Sequence, residues 1–131
     1  VSACHGPAIE QFMTLTKDQI LECNDLKTET VEVPEWAGTI NVRMMNGTDR
    51  DAFERGLVTT GADGTRTPNY NNMRPRLVAL TAVDDDGNRI FTDDDVEVLA
   101  RKSAAALERV CIVAQRLNGI GVAAEDDAAK N

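Results

Sequence analysis

The densest group of possible metal ligands is the run DDDGNRIFTDDD, residues 84–95. A helix–loop–helix calcium loop sets oxygen ligands around a glycine at its sixth position and closes with a bidentate Glu at its twelfth. With Gly87 as that glycine, Asp84 and Asp86 fill two ligand positions. The first position falls on Ala82, however, and the twelfth on Asp93, whose side chain is shorter than the expected Glu. Arg89 stands where an apolar residue belongs. The run reads instead as a solvated turn followed by an acid-rich helix start.

Nucleophilic chemistry has little to draw on. His5 is the sole histidine and lies in the atypical first stretch, so no Ser-His or Cys-His pairing is built around it. Cys4, Cys23 and Cys111 are scattered, odd in number and free of any CxxC spacing. That pattern describes neither a zinc site nor a disulfide framework, and it suggests free thiols in a reducing compartment. Cys111 sits among apolar neighbours, as an inert core thiol would. The glycines at 56, 61 and 64 are not followed by GK[ST], so no phosphate loop is present. Carboxylates are plentiful but gather in turns and helix starts. These residues imply no enzyme, no cofactor and no metal.

The elements that would position such groups are clearer. Thr16 with Gln19 makes a capping-box pattern for a short helix over 17–23, anchored by Ile20 and Leu21. Val31 and Val33, then Ile40, Val42 and Met44, alternate with polar residues as half-buried strands do. PEWAG, residues 34–38, joins them as a hairpin turn. Thr48 and Asp51 open a helix over 49–58. Residues 59–72 have no periodicity and read as a mobile polar loop. Residues 73–83 fit a helix or a buried strand, and Pro75 at a first helical turn favours helix. Residues 84–88 form a turn, and 89–91 a short extended piece.

One long helix is expected over Thr92–Gly119, about 40 Å at 1.5 Å per residue. Thr92 and Asp95 cap it, acids crowd its start, and Gly119 ends it. Val96, Leu99, Ser103, Leu107, Val110, Ala114 and Leu117 form its main stripe. Val98, Ala105, Cys111 and Ile112 lie off that stripe. They are buried within the monomer or offered to a partner, and spacing alone does not choose. Val98, Cys111 and Ile112, with Trp36 at the hairpin turn, are the candidate partner-binding residues.

The expected fold is a small α+β single domain with a β-hairpin, several helices and the long C-terminal helix at its core. It should span 13–121, between an extraneous or disordered 1–12 and a frayed acidic tail at 122–131. The formal charge is −8, which argues against nucleic acid and anionic membranes as partners. No apolar run is long enough to span a bilayer.

Two stretches, DLKTETVEVPEWAGTINVRMMNGTDRDAFE (25–54) and RPRLVALTAVDDDGNRIFTDDDVEVLARKSAAALERVCIVAQRLNGIG (74–121), resemble the tail assembly chaperones of long-tailed bacteriophages and prophages. The resemblance lies in the order of the VEVPEW turn, the RDAFE helix start, the acidic junction and the LNG helix end. It implies a binding protein of the host bacterial cytoplasm that keeps the tape measure protein soluble during tail morphogenesis. Its implied partners are the tape measure protein, the tail tube protein and further copies of itself. The alternative is a structural minor tail or head-tail connector protein.

Overall fold

A computed structural model of the chain describes residues 13–120. The expectations for 1–12 and 122–131 lie outside the described residues. The fold is α+β. It is built from α1 (Lys17–Glu22), β1 (Thr28–Val33), β2 (Gly38–Arg43), α2 (Gly47–Arg55), β3 (Val58–Thr60), β4 (Arg66–Pro68), α3 (Met73–Thr81), β5 (Ala82–Val83), α4 (Val96–Leu99) and α5 (Ala104–Leu117).

β1 and β2 form the expected antiparallel hairpin, with Val31 opposite Ile40 and Val33 opposite Gly38. A 3-10 turn over Pro34–Trp36 joins them and closes on Ala37 in the left-handed conformation, φ 54°. β5 adds to the far side of β2, giving the order β1-β2-β5. Val33 and Val42 are fully buried, on the face that α5 covers.

α3 is the centre of the molecule. Pro75 and every residue from Leu77 to Thr81 are buried. A helix buried all round shows no amphipathic period, which is why its sequence also fits a buried strand. Pro75 sits in the first turn, where its missing N–H has no carbonyl to serve. α3 packs against α2, α4 and α5, and passes into β5 with no intervening loop.

The long helix expected over 92–119 is broken. Thr92 and Asp95 do form a capping box, but it opens only a 3-10 turn and the short α4. Ser103 then leaves helical geometry, and its Oγ accepts from the Ala106 N–H at 3.2 Å, starting α5 afresh. A serine hydroxyl competes with the helix for backbone donors and so favours a cap over a mid-helix place. The break lets α4 pack on α3 while α5 packs on both α3 and the sheet. At 14 residues α5 is about 21 Å long, half the expected length.

Three smaller expectations also change. Asn46, not Thr48, caps α2, accepting from the Asp49 N–H at 2.8 Å. Residues 59–72 are not a structureless loop, because β3 and β4 pair as a second hairpin with Thr59 opposite Thr67. The hairpin is closed at its base by Asn69 N–H to Leu57 C=O, 2.7 Å, and by Arg76. The Arg76 guanidinium donates to the carbonyls of Gly56 (2.5 Å), Asn69 (3.3 Å) and Asn72 (3.4 Å). A Cβ at Gly56 would collide with that guanidinium. Finally, Ile20 and Leu21 do not anchor α1: they are 55% and 70% exposed, and no residue of that helix is buried.

Candidate functional site

The acidic run is committed to local structure. Asp84 accepts from the N–H groups of Asp86 (2.9 Å) and Asn88 (3.0 Å), which holds the turn around Gly87. Asp85 accepts from Asn41 on β2, Asp93 pairs with Arg89, and Asp95 accepts from the Thr92 N–H. Among the described residues, no group of three His, Cys, Asp or Glu side chains is placed to hold a metal.

The cysteines differ from expectation in one respect. Cys23 is disulfide-bonded, so the three are not all free thiols. Cys111 is free and buried. Its Sγ lies 3.5 Å from the Arg74 carbonyl. Burial first, then the nearby Glu108, pushes its pKa up to about 12, so it carries no thiolate at neutral pH.

What remains available is surface. α5 turns Ala106, Leu107, Val110, Cys111 and Ala114 into the core. Its outer side shows Ala105, Arg109 and Ile112. Arg109 is tied to Glu35 at 2.9 Å and Arg116 to Glu29, which fastens the helix to the first hairpin. The hydrogen bond from Arg116 holds the Glu29 carboxyl below its usual range, with its charge adding to the effect. Glu35 is lowered by its own backbone N–H and then by Arg109.

The candidate residues therefore separate. Val98 lies on α4 and Ile112 on α5, 54% and 46% exposed. Cys111 does not join them. It stands one residue, or about 100° of helix turn, from Ile112 and points into the core. Trp36 is half-buried and packs against the core. The expected continuous strip is replaced by separate exposed side chains.

Two larger apolar features were not singled out in the sequence. One is the arm preceding β1, where Met13, Leu15, Ile20 and Leu21 are all exposed. The other surrounds Tyr70, 66% exposed between the second hairpin and α3. On one side of Tyr70 an open groove of about 440 Å³ is lined by Leu57, Val58, Arg66 and Pro68. On the other, a groove of about 350 Å³ is lined by Met73, Arg74, Pro75, Lys102 and Leu107. An aromatic among apolar walls and basic rims has the make-up of a contact hot spot. The available signal was one tyrosine in a polar segment directly before an apolar one.

Fold and surface together define a small α+β domain whose exposed apolar side chains collect on an arm and an aromatic-basic face. The chain belongs to the phage tail assembly chaperone family, whose model matches residues 17–131. Its fold is similar to that of the bacteriophage HK97 tail assembly chaperone, with a TM-score of 0.54 at 18% identity. That likeness covers 79% of this chain and 94% of the HK97 chain. No curated protein matches this chain.

Proposed function

We propose that this protein binds the tape measure protein and keeps it soluble during tail morphogenesis, in the cytoplasm of the host bacterium. It acts by contact, not by catalysis. The tail tube protein is the partner that later displaces it, and the chaperone also associates with itself. The observation that carries this reading is the pairing of exposed apolar and aromatic side chains with a body of formal charge −8. Apolar contacts hold an aggregation-prone helix, and the like charge keeps the complexes dispersed. Tyr70, Val98 and Ile112 are the contact residues, with Trp36 at the edge of the same role.

Co-expression with the tape measure protein of the same phage tests this. The tape measure protein is expected to move into the soluble fraction and to co-purify with the chaperone. Tyr70→Ala with Val98→Asp should return most of it to the pellet while leaving helical circular dichroism unchanged. Equal solubility with and without the chaperone overturns the reading.

A further inference from the structure

We infer that the grooves on either side of Tyr70 form one docking face for an acidic, apolar segment of a partner chain. This rests on the contact role proposed above and names the chemistry of the segment that is held.

Charge is the first observation. On a chain with 22 Asp and Glu against 14 Lys and Arg, neither groove is lined by a carboxylate. Most arginines elsewhere are occupied. Arg50, Arg89, Arg109 and Arg116 pair with carboxylates, and Arg43 and Arg76 donate to backbone carbonyls. Arg66 in one groove and Lys102 in the other are both exposed, and neither has an ion pair among the described residues. Arg101, next to Lys102, is exposed and without an ion pair as well. Arg74 also lines the second groove, but Glu108 answers its charge at 2.6 Å. The result is a basic face on an acidic molecule, which attracts acidic groups and repels basic ones.

The apolar walls are the second observation. Leu57, Val58 and Pro68 wall the first groove, and Met73, Pro75 and Leu107 the second. Tyr70 lines both and joins them into one surface. Its backbone is fixed on each side. The Asn69 N–H donates to the Leu57 carbonyl at 2.7 Å, and the Asn69 carbonyl accepts from Arg76. The Tyr70 carbonyl accepts from the Met73 N–H at 3.2 Å. Asn72, left-handed at φ 53°, then turns the chain into α3. An exposed ring on an ordered backbone contributes contact area at little cost in ordering.

The third observation is a contrast. A cavity between α2, the start of α3 and α4 also has apolar walls, from Phe53, Leu80 and Val96. It carries the carboxylates of Asp93 and Glu97 beside the clamp arginine Arg76, so it offers an acidic segment no net attraction. The Tyr70 face presents cations without carboxylates. Acidic cargo also suits a body at −8, because it adds to the charge that keeps complexes dispersed, where basic cargo would cancel it.

Overlapping synthetic peptides that tile the tape measure protein of the same phage provide the test. Each is titrated calorimetrically against the chain, with circular dichroism as the control on folding. The peptides bound most tightly are expected to combine apolar residues with a net negative charge, and salt should weaken them. Arg66→Glu with Lys102→Glu should weaken their binding about tenfold or more, whereas Arg66→Lys with Lys102→Arg should preserve it. Exchanging the acids of the best peptide for lysine should abolish binding to the wild type and restore it to the charge-reversed variant. A preference for basic or uncharged peptides overturns the inference, as does charge reversal without effect. If co-expression still brings the tape measure protein into the soluble fraction, the contact role stands without it. Capture of no peptide overturns the inference too, and co-expression then decides the proposed function on its own. Glu125→Gln with Asp126→Asn and Asp127→Asn should leave peptide affinity unchanged. A gain of about tenfold would assign the face to the chain's own acidic residues and overturn the choice of a partner segment.

Discussion

α1 and α3 invert one another. α1 has a reciprocal capping box and buries nothing; α3 starts at Asn72 with no side-chain cap and buries six of its nine residues. Capping chemistry decides where a helix begins, and burial decides whether it holds. The folded body is secured by the second and the arm has only the first. That is why the apolar side chains of α1 stay exposed while those of α3 from Pro75 onward are buried.

The largest test of this contrast is Leu77→Ala, which leaves a cavity in the core and should cost about 3 kcal/mol in chemical denaturation. Leu21→Ala on the arm should change the same measurement by less than about 0.5 kcal/mol. Similar losses at the two sites would break the contrast. A smaller effect comes from the ion pairs that bind α5 to the first hairpin. Glu29 and Glu35 have lowered pKa values, so their contribution is present above the ordinary value of 4.5 and is lost as pH falls through the depressed ones. Glu29→Gln with Glu35→Gln should therefore lower stability modestly near neutrality and flatten its decline below pH 4.5. A decline as steep as that of the wild type would assign the acid sensitivity to other carboxylates. The smallest effect is expected from Thr16→Ala. At dilutions where the chain is monomeric, the unfolding midpoint should stay fixed while amide exchange at Gln19 and Ile20 quickens. A loss above about 1 kcal/mol would show the arm packed on the body.

Alternation made the first hairpin legible, because one face of β1 and β2 is buried and the other is solvated. The second hairpin was not, since its strands are mostly exposed threonine, arginine and proline with no apolar face to announce a period. Thr59 and Thr67 around an Asp63-Gly64 turn were the overlooked signal. The break at Ser103 was hidden because that residue falls in step with Leu99 and Leu107, and spacing does not report that α4 and α5 pack on different neighbours. For the contact surfaces, Trp36, Val98, Cys111 and Ile112 were chosen by type and spacing. The fold turns Cys111 inward, in line with its reading as a core thiol and against its place among the contact residues, and it leaves Tyr70 standing clear. Ile20 and Leu21 were read as anchors because apolar residues on a capped helix usually have something beneath them.

The Arg76 clamp has a consequence for how this family can vary. One guanidinium fastens the neck of the second hairpin to Gly56, Asn69 and Asn72. Everything beyond that neck, from Thr60 to Arg66, hangs outside the architecture that the clamp protects. The tip is where the chain can lengthen, shorten or accept a grafted epitope without the interior registering the change.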